Sequence, residues 1–414
     1  MPSRLGSEMK MASVRPLRMS SRNGSSGRMA DLARRPPIRV AFVVDTMHFG
    51  GTEMNALRTA KRLDPARFSV VVATLARRGP LLQEYQDTGI RVVQFPISSL
   101  HNRSALTEGM RLFRFLRSER IDVLHCHDLY ANAFAVPWGR IARVPVVIAS
   151  RRWTHPVASR PMEFVNRVAY RLAHRILGNS GAVARMLRDI DGVPAERILE
   201  VPNFVESHAF QSPTLASQAA FRTELGIPAG ALVVGCVARL VDVKDHRTML
   251  RAMALLAPSW PTLRLVLVGD GPLRSPLESL ANELGIVGQV HFAGHRANDP
   301  NINRMFDISA LCSLSEGFPN VIVEAMAAER PVVATAVGGN VDAVRGGTGI
   351  LVPPAEPAHL ANALDRLLRD PVLRRRMGAE GGRVARAEYH VSTVIPRLEA
   401  MYCDLLDRFA ASPK

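Results

Sequence analysis

Residues 38–63 read IRVAFVVDTMHFGGTEMNALRTAKRL. A β-prone apolar run ends at Asp45, a turn carries the pair Gly50-Gly51, and an amphipathic helical stretch starts at Thr52. Strand, glycine turn and helix in that order make the unit of a parallel sheet, because parallel neighbours need a crossover and the crossover is normally a helix. Paired glycines let a ligand approach the backbone, and the helix end offers free N–H groups to an anion. An ordinary turn would read the same way. No GxGxxG occurs anywhere in the chain, which argues against a dinucleotide enzyme.

Outward from this unit the pattern repeats. Strand-like runs lie at 68–74, 90–95, 121–127, 144–150 and 197–202, with helical stretches near 105–119, 130–142, 161–175 and 180–189. QSPTLASQ (211–218) has linker composition, and the alternation restarts with runs at 231–238, 263–269, 289–294, 307–313, 331–335 and 349–352. The expectation is an α/β protein of two doubly wound, Rossmann-like domains facing a cleft, with ligands at the carboxyl ends of the strands. The expected units are a basic tail over 1–37, a first domain over 38–206, a second over 207–390 and a last amphipathic helix over 391–414.

Net charge is +16. Residues 1–37 hold eight basic and two acidic side chains, so +6 lies in the tail and +10 in the body. A body that basic suits anionic partners, but the charge is dispersed and no aromatic–basic readout motif appears, so nucleic acid is not expected. Arginine supplies nearly all the positive charge, since only four lysines occur; Lys244 is therefore informative. The four cysteines have no metal spacing and read as free thiols in a reducing, cytoplasmic setting. The helix around Arg111, Arg114, Arg117 and Arg120 alternates arginine with phenylalanine and leucine. It reads first as a sheet-covering helix with a solvated arginine face, and second as a membrane-surface helix.

Chemistry gathers at strand ends. The stretch Ser315–Ala328, SEGFPNVIVEAMAA, reads as a helix entered through Gly317 and Pro319. Glu324 is its one polar residue after Asn320, expected to be buried and in need of hydrogen bonds, and Glu316 stands at the helix mouth. Arg239 and Lys244, five apart between a strand and a helix, suit a diphosphate. Gly271 in GDGP (269–272) and the pair Gly338-Gly339 end neighbouring strands. On the other side His125 and His127 share one strand face; His127, nearer the carboxyl edge, is the better ligand contact, although a strand-end histidine is often a structural hydrogen-bonder. The loop Arg151, Arg152, Trp153 and His155 reads as an acceptor wall.

Read together, GGTE (50–53), HCHD (125–128), ARLVDVK (238–244), VGDGP (268–272), SEGFPNVIVEAMA (315–327) and VATAVGG (333–339) resemble the retaining, nucleotide-sugar-dependent glycosyltransferases of the GT-B fold, the glycosyltransferase group 1 family. The resemblance spans about 38–390. It implies a UDP- or GDP-sugar donor, a saccharide or glycolipid hydroxyl acceptor, and no cofactor or metal. Arg239 and Lys244 would take the metal's place at the leaving diphosphate. Glu324 would bind the ribose, Glu316 with Gly317, Phe318, Pro319 and Asn320 the transferred sugar, and Gly50 and Gly51 the diphosphate. His127 would lie by the reacting centre and the base would rest on 292–296, with Phe292 and Gly294. The last helix would cross back onto the first domain. An anionic membrane surface is a further expected partner, placing the protein on the inner face of the cell membrane. A nucleotide-sugar epimerase on this fold and a non-catalytic nucleotide-sugar-binding subunit are the rival readings. Glu329 stands where the family's helix ends in glycine, and Asp342 where glutamate is commoner.

Overall fold

The computed structural model describes residues 36–154, 160–212, 214–296 and 302–410. Residues 1–35 of the expected tail, and His155, lie outside the described residues. The first sheet holds β1 (Ile38–Val44), β2 (Phe68–Thr74), β3 (Arg91–Gln94), β4 (Val123–His127), β5 (Val146–Arg151), β6 (Arg175–Gly178) and β7 (Ile198–Glu200), in the order β3-β2-β1-β4-β5-β6-β7. The second holds β8 (Val233–Val237), β9 (Arg264–Val268), β10 (Val290–Gly294), β11 (Ile308–Leu311), β12 (Val332–Thr335) and β13 (Gly349–Val352), in the order β10-β9-β8-β11-β12-β13. Every pairing is parallel. Strand order reverses between β1 and β4 and again between β8 and β11, which opens a crevice at those carboxyl ends. Val40–Val44 are buried on both faces, as a central parallel strand requires.

β6 has no counterpart in the sequence reading, which ran the preceding helix through to residue 175. That helix ends at Leu172. Arg197 stops it by donating to the carbonyls of Tyr170 and Arg171 at 2.7 and 3.2 Å, a cap supplied from beyond the next strand and helix.

The chain crosses between the sheets twice, side by side. Val205 donates to Tyr389 O at 2.7 Å and accepts from Val391 N at 3.0 Å. Beyond that crossing the helix Val391–Ala410 inserts Val394, Ile395, Leu398, Tyr402 and Leu405 into the core of Val40, Phe42 and Leu57. Each such side chain contributes about 1.5–3 kcal/mol on burial. The last helix is thus part of the first sheet's core, as expected.

Candidate functional site

On the second sheet, Arg239 and Lys244 follow β8. Lys244 ends a short 3-10 turn, and Asp245, at φ +44°, starts the helix His246–Leu256 and accepts from Thr248 N at 3.3 Å. The GDGP loop packs beneath. A Cβ on Gly269 would lie 2.0 Å from Ala238 O, and one on Gly271 2.5 Å from Leu240 O. Gly271 therefore serves the packing that aims Arg239 outward. Arg239 is exposed, and its side chain makes no hydrogen bond or ion pair among the described residues. Beside this loop, Gly294 O accepts from Gly269 N at 2.9 Å, and the Arg274 guanidinium lies 6.0 Å from the Phe292 ring centroid.

Beyond β11 the chain turns through Ser313 to Asn320. Glu316 accepts a hydrogen bond from Ser313 Oγ at 2.5 Å, and the same oxygen is paired with Lys244 Nζ. Two groups expected on separate parts of a donor are therefore in direct contact here. The helix starts at Asn320, with Pro319 as its N-cap residue, and buries Ile322, Val323, Ala325, Met326 and Ala327. Glu324 departs from the expectation of full burial. Its side chain is 30% exposed and lies 3.7 Å from Arg58 Nη1. The helix turns this one edge toward the helix Gly51–Arg62 of the first sheet. The surrounding protein raises its pKa by desolvation, and Arg58 opposes the rise. Phe318 packs on Tyr389, with ring centroids 5.8 Å apart. Glu329 adopts φ +58°, the left-handed cap anticipated from the missing glycine, at a cost of about 1 kcal/mol.

Polar groups at the first sheet's edge are held differently. In register, Val44 pairs with both Thr74 and His127, so Asp45 and Asp128 leave adjacent strands at one level. Asp45 accepts from the N–H groups of Tyr130 and Ala131 at the mouth of the helix Leu129–Ile141. Burial, and the neighbouring Asp128, push its pKa well up. Asp128 sits at φ +81°, a strained position for a non-glycine residue. It accepts from Trp153 Nε1 at 2.6 Å and from Thr52 Oγ1 at 3.4 Å. Burial raises its pKa to about 6, against the Trp153 bond and Arg152.

His125 is fully engaged, by Tyr402 Oη at 2.7 Å and Ser150 Oγ at 2.8 Å. His127 is also buried and stacks on His125 at 4.2 Å. Its Nδ1 lies 3.0 Å from Arg152 Nη2; a guanidinium only donates, so Nδ1 accepts and the neutral ring carries its proton on Nε2. That Nε2 has no hydrogen-bond partner among the described residues. Burial and the flanking His125 and Arg152 hold the pKa of His127 well below the usual value.

Arg151 does not form an exposed wall. It is 1% exposed and turned inward, in a 2.9 Å ion pair with equally buried Asp191. Arg152 is buried too, donating to Asn203 Oδ1 at 3.1 Å, and Asn203 Nδ2 donates to Asn320 Oδ1 at 2.9 Å. A chain His127–Arg152–Asn203–Asn320 thereby joins the two strand-end clusters. More bonds cross beside it: Ser180 Oγ to Gly317 O at 2.6 Å, Thr154 Oγ1 to Glu316 O at 3.1 Å, and Ala182 N to Asp342 at 2.6 Å. A Cβ on Gly317 would lie 2.0 Å from Arg152 O, so glycine there is demanded by this contact. Gly51 has only Asn320 Nδ2, at 3.9 Å, near its virtual Cβ, which leaves space in front of it. Gly50 is the N-cap residue of the same helix.

Sequence reasoning missed Arg58, Asn203, Thr154 and Ser180. Arg58 carried a faint signal, being seven residues after Gly51 and so on the same helix face; Thr154 and Ser180 carried none. No group of three or more His, Cys, Asp or Glu side chains able to hold a metal occurs among the described residues. No helix among them is long and apolar enough to cross a membrane.

Comparison with known proteins bears on both halves. The family described as glycosyl transferases group 1 matches residues 217–384, and glycosyltransferase family 4 matches residues 49–208. A D-inositol 3-phosphate glycosyltransferase from Stackebrandtia nassauensis is 30% identical over 96% of this chain and 98% of its own length. The crystal structure of HepE from Anabaena in complex with UDP has a TM-score of 0.79 at 23% identity, covering 89% of this chain and all of that one. A glycosyltransferase from Rickettsia africae has a TM-score of 0.80 at 16% identity, over 90% and 99% of the two chains.

Proposed function

Since this chain belongs to the glycosyltransferase group 1 family and is a GT-B glycosyltransferase, we propose that it moves a hexose-type sugar, with retention and without a metal, from a UDP- or GDP-sugar to a hydroxyl of a lipid-linked or cell-envelope saccharide. The observation that carries the donor half is the meeting of Arg239, Lys244, Glu316 and Glu324 at the carboxyl ends of β8 and β11, opposite the open backbone at Gly51. Arg239 offers an unengaged guanidinium fork and Lys244 a point charge; together they neutralise the charge that develops on a departing nucleoside diphosphate. A donor entering here exchanges Lys244's bond to Glu316 for bonds to phosphate, which frees Glu316 to accept from the hydroxyls of the sugar. Glu324, open by 30% toward the cleft, accepts from the ribose. UDP in the HepE crystal supports a uridine donor.

Retention has no enzymic nucleophile in this reading. With donor bound Glu316 still accepts from Ser313 Oγ and its remaining acceptor sites are taken by the sugar's hydroxyls, so same-face attack assisted by the leaving phosphate is the route these residues support. A small polyol phosphate is the second acceptor reading, favoured by the Stackebrandtia relative.

The test is a thermal-shift panel of UDP-, GDP- and ADP-sugars, with Glu324→Ala as the control. One nucleotide class should stabilise the wild type and lose its effect in the variant. No shift with any nucleotide sugar overturns the donor assignment. Turnover of the stabilising donor with lipid-linked saccharides against inositol phosphates then separates the two acceptors, and turnover without an acceptor would favour epimerisation.

A further inference from the structure

The helix Arg103–Ser118 is a sheet cover, the first of its two readings: Leu112 and Leu116 are buried, and Phe115 packs on Phe95 with centroids 5.6 Å apart. A different face has the composition of a membrane-docking surface. The helix Arg160–Leu172 buries Asn166, Ala169 and Tyr170. At 100° per residue its opposite side brings together Arg160, Phe164, Val168 and Arg171, with Arg167 and Leu172 at the margins. Phe164 is 66% exposed, and Val168 and Leu172 are exposed as well. Ile190, 58% exposed, stands on the adjoining loop. A phenylalanine, a valine and a leucine one turn apart on the outer side of a helix have no place in a solvated cover, and a patch of this kind marks an interaction site.

Charge decides what fits it. Arg167, Arg171 and Arg197 line a hollow of about 220 Å³ between this helix and loop 190–197. The nearby acids are mostly spent: Glu163 bridges Arg167 at 2.8 Å and Asp191 is locked to Arg151, which leaves Glu196. Arginines continue past the helix end. Burial together with Arg140, Arg175 and Arg197 holds the pKa of His174 down to about 4. An exposed apolar ridge flanked by under-compensated arginines matches the interface of an anionic bilayer, with rings and aliphatic chains at the acyl boundary and guanidinium groups on lipid phosphates. A second protein chain would have to offer an acidic, apolar face.

We propose that the helix Arg160–Leu172 and loop 190–197 dock this enzyme on anionic membrane, with Phe164 and Ile190 inserted and Arg160 and Arg171 on phosphate. The proposal rests on the lipid-linked acceptor reading and names the surface through which that acceptor is reached.

The full chain is floated with phosphatidylcholine vesicles with and without phosphatidylglycerol. Wild type should bind only the anionic vesicles and release as salt rises past the point where the screening length falls to about 8 Å. Phe164→Glu should abolish most of the binding, and Arg160→Ala with Arg171→Ala should weaken it about fivefold per arginine removed. An unchanged donor-induced thermal shift in each variant shows that the fold and the donor site are intact, so failure here is distinct from failure of the transferase reading. Vesicle binding that survives Phe164→Glu overturns the proposal and assigns binding to another surface. So does a wild-type dimer in lipid-free sedimentation that Phe164→Glu turns into a monomer, because a second copy then covers the face.

Discussion

The two strand-end clusters face one another but are built on opposite principles. On the second sheet the charged groups are available: Arg239 is unengaged among the described residues, Glu324 is part open, and Lys244 and Glu316 hold each other in a pair that a ligand can exchange. On the first sheet they are spent. His125, Arg151, Arg152 and Asp128 are engaged inside the protein, several of them by partners dozens of residues away. Charged residues at the strand ends are thus left open in one domain and locked into the framework in the other. What separates them is whether a loop has closed over them.

This contrast breaks most readily at Arg151. Arg151→Ala leaves Asp191 buried without its partner and should cost about 3–5 kcal/mol in a urea or thermal melt. Normal stability with a lost acceptor affinity would put Arg151 back on the acceptor wall. The mirror experiment is Lys244→Ala, where stability should hardly move while kcat falls about a hundred- to a thousandfold. A melt lowered as far as that of Arg151→Ala would erase the distinction.

Asp128 sharpens the contrast through pH. Its carboxyl, ordinarily near 3.8, is pushed to about 6 by burial. Between those values the unfolded chain has released a proton that the folded chain still binds, so wild-type stability declines as pH rises through this window. Asp128→Asn lacks that decline. Its melting temperature should therefore gain on wild type from about pH 4 to pH 6 and then run parallel, a difference on the order of 2–3 kcal/mol. A constant offset across that range would mean that Asp128 ionises normally.

Asn203→Ala cuts the chain that joins His127 to Asn320. It strands an N–H of buried Arg152, at about 1–3 kcal/mol. Turnover should fall while the donor-induced shift persists, because Arg239, Lys244, Glu316 and Glu324 are untouched. Loss of the shift as well would show that Asn203 acts on the donor rather than on alignment. The smallest effect belongs to Arg58→Ala. That half-exposed pair is worth less than about 1 kcal/mol, and removing Arg58 frees Glu324, so donor affinity should stay level or improve slightly. Weaker donor binding would make Arg58 itself a donor contact.

Much of the second-sheet cluster was readable because its logic is local. Arg239 and Lys244 flank one turn, and Glu316 and Glu324 flank another. Each pair needs only the rule that a strand end meeting a helix start collects ligand groups. The Glu329 cap was readable for the same reason, since a left-handed residue closing a helix is a short-range event. The acceptor loop was not. SRRW contains two arginines and a tryptophan, and nothing in those four letters says that the first arginine turns inward to Asp191 forty residues on while the second reaches His127 and Asn203.

The sequence by itself determined the parallel α/β architecture, since the strand-and-helix period and continuous apolar runs admit no other layering, and with it the edge on which chemistry collects. Tertiary structure alone decided which polar groups remain free there. Direction and availability of a side chain depend on partners brought by the fold from far along the chain: Arg58 to Glu324, Asn203 to Asn320, Arg197 to the end of a helix that pattern alone ran three residues too long. Periodicity repeats within a few residues and survives in the sequence. A hydrogen bond spanning more than a hundred residues leaves no trace there.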